Sequence, residues 1–157
     1  EACEAALPLT ESGTAAYQFR GAQTAVYARA LLGDGQYQRA FEVGTEAIEH
    51  SQKRHARLAE CQARLTMLSI LRKLSKDSPA LVEHQLNAIT TLISQTGAQM
   101  FEPFMLEEKA RLLWRKNEHA AANKTLSLAH QMFVQFGAQG HAERLKSHHP
   151  ELQIRVV

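Results

Sequence analysis

The sequence predicts an all-α fold, an antiparallel helix-pair solenoid of about three 41-residue repeats plus a terminal capping helix, on three observations. Ala28, Ala40 and Ala47 recur as Ala110, Ala122 and Ala129, with the same spacing inside each triplet. Half the offset between the triplets lands on Ser69, Leu81 and Ala88, a middle copy with two small residues out of three. Between the small residues, apolar side chains repeat at helical spacing, and glycine or proline punctuates the runs. Small residues at fixed points let helix backbones approach closely where a pair crosses. Stacked pairs then bury a core that one pair alone cannot.

The elements follow in order. Residues 1–13 are expected to be the end of a preceding repeat or a linker: Ala5-Ala6-Leu7 is stopped by Pro8, and the start EACEAALPLTESG has no signal-peptide core, so it reads as part of a longer chain. The helical repeat domain is expected over 14–147. Ser12 or Thr14 caps its first helix, along which Tyr17, Thr24, Tyr27, Ala28, Leu31 and Leu32 recur, and Gly33-Asp34-Gly35 ends it. The second helix runs from Tyr37 to about Gln52 with Ala40, Phe41, Ala47 and Ile48 inward. The third begins near His55, where no breaker stands out, and carries Leu58, Cys61, Leu65, Leu68, Ser69 and Leu71. Ser78 as N-cap and Pro79 at the first helical position open the fourth, with Leu81, Leu86, Ala88, Ile89, Leu92 and Ile93 inward as far as Gly97. Phe101-Glu102-Pro103 opens the fifth. Lys116-Asn117-Glu118 reverses the chain into a sixth that ends at Phe136-Gly137, and Gly140 to about Ser147 forms the terminal helix. Residues 148–157 are a C-terminal tail in which Leu152, Ile154 and Val156 alternate as in an extended segment.

Composition narrows the function classes. Hydrophobic residues make up 45% of the 157, but no apolar run approaches the roughly 20 residues that cross a bilayer, so no membrane span is expected. Cys3 and Cys61 are too few for a disulfide framework, which favours a reducing, cytoplasmic setting. Acids and bases are interspersed and the net charge is +2, so no direct contact with nucleic acid is expected.

Catalytic and metal-binding patterns are weak. His50, His55, His84, His119, His130, His141, His148 and His149 show neither a carboxylate-supported helical pair nor a cysteine partner at zinc-ligand spacing, so no metal is expected. Gly33-Asp34-Gly35 and Gly137-Ala138-Gln139-Gly140 lack the lysine and hydroxyl of a phosphate loop and read as helix ends. Glu107-Glu108 and Glu46/Glu49 have Lys109, Arg111 and Arg115 among their helical neighbours, which reads as solvated salt-bridging faces rather than paired acids. No catalytic residue and no cofactor are therefore expected.

Gly35-x-Tyr37-x-x-Ala40 followed by Ala47, and Leu113 through Ala122 to Ala129, resemble tetratricopeptide repeats, which implies a right-handed superhelix of helix pairs. The period is longer than the roughly 34 residues usual there, and Leu81 stands where a small residue belongs. The longer period, GAQMFEP at 97–103 and FGAQGHAERL at 136–145 are similar to the sensor repeats of bacterial LuxR-type ATP-dependent transcriptional activators and of multidomain adenylyl cyclases, over roughly residues 14–146. This resemblance implies a non-enzymatic protein- or ligand-binding module, the sensor or scaffold part of a larger cytoplasmic bacterial signalling or transcription-regulatory protein. The alternative is a general protein–protein adaptor with an unrelated parent.

In that repeat class the concave face is built from the first helix of each pair. Here it would hold Ala22, Ala25, Arg29 and Leu32, then Ala63, Thr66, Ile70 and Lys73, then Phe104, Glu107, Arg111, Trp114 and Arg115. The candidate partner-binding residues are Arg29, Thr66, Lys73, Phe104, Glu107, Arg111, Trp114 and Arg115, with the cations and the single tryptophan gripping an acidic protein segment or a small anionic or sugar-like ligand. Against this stands the plainer reading that Trp114 packs on the next helix and the bases are solvated. Effector domains of the parent chain are the expected partners, and open repeat ends would favour self-association. Ala25 and Arg29 stand where a chaperone-type carboxylate clamp needs Lys and Asn, so that use is not expected.

Overall fold

Helix breakers and small residues divide the chain where the periodicity places the divisions. The computed structural model describes residues 19–74 and 78–149, and every regular element among them is helical. The predicted caps Ser12 and Thr14, Tyr17, the turn residues 75–77 and the alternating tail fall outside the described residues. Seven α-helices are described: α1 (Arg20–Gly33), α2 (Tyr37–Lys53), α3 (Arg57–Lys73), α4 (Pro79–Thr96), α5 (Glu102–Arg115), α6 (His119–Gln135) and α7 (Gln139–His148). A 3₁₀ turn, Gln99–Phe101, precedes α5. No helix among the described residues is long and apolar enough to cross a membrane. The chain forms two compact units, Glu1–Gly97 and Ala98–Val157.

In the first unit α1 packs on α2, α2 on α3 and α3 on α4, and α1 also reaches α3. Tyr27, Ala28, Leu31, Ala40 and Ile70 form a buried cluster, with Leu32, Phe41, Val43 and Leu74 packed against it. Two glycines set the closest approaches. A Cβ on Gly21 would lie 2.2 Å from Ser51 Oγ, and one on Gly44 would lie 3.1 Å from Met67 Cε and 3.2 Å from Ile70 Cδ1. In the second unit α5 packs on α6 and α6 on α7. Ala110, Ala122 and Ala129 are fully or almost fully buried there, as Ala28, Ala40 and Ala47 are in the first unit.

The turns repeat as well. Each of four helix ends carries a residue in the left-handed region whose N–H bonds back three residues, while the next N–H bonds back five, so that two otherwise unpaired carbonyls are satisfied. The residues are Gly35, His55, Asn117 and Gly137, at φ 77°, 54°, 63° and 69°. The offset from Gly35 to Asn117 equals that from His55 to Gly137, and both equal the offset between the alanine triplets. Sequence reading found no breaker at His55, because histidine signals no turn by residue type; the break is made by backbone conformation. Pro79 occupies the start of α4 as expected, but the Ser78 side chain makes no cap bond, and its carbonyl accepts from Leu81 and Val82 at 3.0 and 3.1 Å instead.

The middle copy departs from the frame. Leu81 and Ala88 are only half-buried, while Val82, Gln85, Leu86 and Ile89 point inward. Leu86, Ile89, Leu92 and Ile93 face inward as predicted, so the departure is confined to Leu81 and Ala88, with Val82 and Gln85 buried in addition. Gln85 is drawn inside by a hydrogen bond from Arg64.

Candidate functional site

In the second unit Glu107 lies on the inner side of α5 with its side chain 5% exposed. Arg111, one turn on, donates to Glu107 and to Glu108. Arg144, on α7, closes the arrangement with Nη1 and Nη2 donating to Glu107 Oε1 and Oε2 at 2.9 and 2.6 Å. Burial pushes the Glu107 carboxyl up, but hydrogen bonding from Arg144 and the charges of Arg111 and Arg144 outweigh it and hold the group below its ordinary range. The same hydrogen bond raises Arg144. Glu107 is therefore a fixed anion clamping α7 to α5, and both its oxygens are occupied. The solvated face expected for Glu107 and Glu108 is in fact a buried ion-pair network, because Arg144, 37 residues away, supplies the second cation.

Phe104, on the same helix, is half-buried with its ring 4.9 Å from Phe133 and 4.9 Å from His141, edge to face in both cases. His141 in turn stacks on Phe133 at 5.3 Å. Trp114 is 40% exposed, and its ring meets His119, the first residue of α6, at 4.4 Å. Trp114 thus both packs on the next helix and keeps a wet face, and Arg115 beside it is exposed.

In the first unit Arg29 and Lys73 are exposed, whereas Thr66 is 4% exposed and its hydroxyl bonds to the Gln62 carbonyl at 3.0 Å. Ala25, Ala63 and Ile70, also placed on the concave face by the frame, are fully buried. Glu107 therefore joins two helices, the Thr66 hydroxyl is satisfied within its own helix, and neither presents a free polar group to a partner.

A second buried network was not anticipated. Glu60 accepts from Arg64 Nε at 2.8 Å and from Gln52 Nε2 at 3.1 Å, and Arg64 Nη1 donates to Gln85 at 2.7 Å. The Glu60/Arg64 spacing was a visible signal for the pair; nothing local announced Gln85. Cys61 lies beside it, and burial, with the Glu60 charge adding and Arg64 opposing, raises its thiol to about 11. It stays protonated at neutral pH and is no nucleophile. Among the described residues no three His, Cys, Asp or Glu side chains are grouped to hold a metal ion.

The accessible part of the predicted site reduces to Arg29 and Lys73 in one unit and to Trp114 and Arg115, with Phe104 and Arg111 partly open, in the other. Such a set can stack on a ring or apolar group and pair with an anion. No family model, no curated protein and no solved structure matches this chain.

Proposed function

We propose that this chain is a non-enzymatic helical-repeat binding module on the tetratricopeptide-like plan, the sensor or scaffold part of a larger bacterial signalling or transcription-regulatory protein. The observation that carries the reading is the recurrence, at one shared offset along the chain, of both the buried alanine triplets and the left-handed turn residues. A chain that repeats its backbone plan presents repeated helix faces, and repeat proteins use such faces to bind partners. The face of α5 that carries Trp114 and Arg115 is the proposed contact, for an acidic protein segment, a small anion or a sugar-like ligand.

The test is a titration read by fluorescence of Trp114, the only tryptophan, with an oligosaccharide, a nucleotide and an acidic peptide as probes. The expected result is binding that weakens with salt and falls several-fold in Arg115→Glu and Trp114→Ala. A probe chemically converted during the titration, or bound with an affinity indifferent to both substitutions, refutes the reading.

A further inference from the structure

We propose that the turn joining α2 to α3, residues 53–57, is a docking site for an acidic protein segment, distinct from the α5 face. Lys53, Arg54, His55 and Arg57 fall within this one turn and all are exposed. The turn is closed by two backbone hydrogen bonds: His55 N–H donates to the Gln52 carbonyl at 3.0 Å and Ala56 N–H to the Ser51 carbonyl at 2.9 Å. The Gln52 side chain is itself tied to the buried Glu60 at 3.1 Å. Lys53, His55 and Arg57 are thus displayed from a hydrogen-bonded turn, which reduces the ordering a partner must impose.

The residue at the reversal is the telling one. Gly35, Gly97 and Gly137 take the left-handed position elsewhere and Asn117 takes it once, but here it is His55, at φ 54°. A side chain in that region brings Cβ against the following carbonyl, so histidine here carries a steric penalty that glycine would avoid. The equivalent turn of the second unit, Gln135-Phe136-Gly137-Ala138-Gln139, closes with the same two backbone bonds and carries no charge, so this closure does not itself require a cation. Glu60 is buried and held by Arg64 and Gln52, which leaves it unable to neutralise the turn. Lys53, His55 and Arg57 share no side-chain hydrogen bond or ion pair among the described residues.

Leu58, 54% exposed, follows Arg57 directly. Cations beside an exposed leucine fit a segment in which carboxylates flank an apolar side chain. A free anion or a nucleic-acid backbone would leave the leucine unused, and one leucine is too little to anchor a membrane.

The experiment is fluorescence anisotropy of a labelled short glutamate peptide with a central leucine, titrated with the whole chain. We expect Lys53→Glu with Arg57→Glu to weaken binding about tenfold or more and Leu58→Ser to weaken it several-fold, both with unchanged helical content. His55→Gly should weaken binding while raising the melting temperature by roughly 1 to 4 °C, opposite signs that a merely structural turn residue would not give. No binding of the peptide, binding indifferent to the double reversal, or a His55→Gly protein that melts lower would overturn the proposal. So would tighter binding to phosphatidylserine vesicles or single-stranded DNA than to the peptide, because either would make the partner a different macromolecule.

Discussion

Replacing Glu107 by glutamine removes the charge at the centre of the second unit and keeps the shape of the side chain. Deleting one member of a fully buried pair costs about 3 to 5 kcal/mol, since the other charge is stranded without water. Here the stranded groups are Arg111 and Arg144, 23% and 35% exposed, and Arg111 keeps Glu108. Water and the second carboxylate absorb part of the loss, so roughly 1 to 3 kcal/mol is expected. Urea unfolding followed by circular dichroism measures it, and a cycle with Arg144→Gln should return a coupling of about 1 to 2 kcal/mol. The pH dependence supplies a second reading. Because the Glu107 carboxyl is held below its ordinary 4.5, its contribution is complete above that value and is lost as pH falls through the lowered native one. The gap between native and Glu107→Gln proteins should therefore close on acidification below 4.5. A loss under about 0.5 kcal/mol at neutral pH, or a gap that persists in acid, refutes the clamp.

Other substitutions test the packing. Ala122→Leu or Ala129→Leu, at sites with 0% exposure, should each destabilise by about 1 to 3 kcal/mol, whereas Ser69→Ala, which loses only a 3.3 Å bond to the Leu65 carbonyl, should stay within about 0.5 kcal/mol in thermal melts. Gly21→Ala should lower the melting temperature despite alanine's better helix propensity, because the new methyl would lie 2.2 Å from Ser51 Oγ, and Ser51→Gly in the same chain should restore part of the loss. Arg111→Glu should melt several degrees lower, with carboxylates facing one another around Glu107, while the exposed Arg115→Glu should change stability by no more than about 1 kcal/mol.

Much of the helical plan was legible because it rests on side-chain size and turn chemistry, which are local. Ala28, Ala40, Ala47, Ala110, Ala122 and Ala129 are small and buried, and Gly35, Gly97 and Gly137 take the left-handed conformations that glycine favours. Helix α4 was only partly legible at its first turns, since Leu86, Ile89, Leu92 and Ile93 are buried as predicted but Val82 and Gln85 replace Leu81 and Ala88. Its buried face includes a glutamine chosen by Arg64 across the helix pair, and a frame built on apolar and small residues cannot count a polar side chain as inward. The close approach at Gly21 was hidden for a related reason, since its partner Ser51 is a polar residue whose hydroxyl is satisfied by the Ala47 carbonyl at 2.8 Å.

The candidate site was legible only in part, and the reason bears on where partners bind. Spacing showed that Glu107 and Arg111 could pair, but not that Arg144 would arrive from α7 to bury the pair. Once that happens, Arg111 is committed to Glu107 and Glu108 of its own helix, as Arg64 is to Glu60 in the first unit. Arginines that the sequence offers to a ligand are thus drawn into buried ion pairs where a helix face turns inward, and are solvent-exposed elsewhere. Trp114 and Arg115 stand at the end of α5, and Lys53, His55 and Arg57 stand at the turn after α2. In a chain whose acids and bases are nearly balanced, at a net charge of +2, the cations best placed for recognition are those at helix ends, because a helix end has fewer packed neighbours to draw its side chains inward.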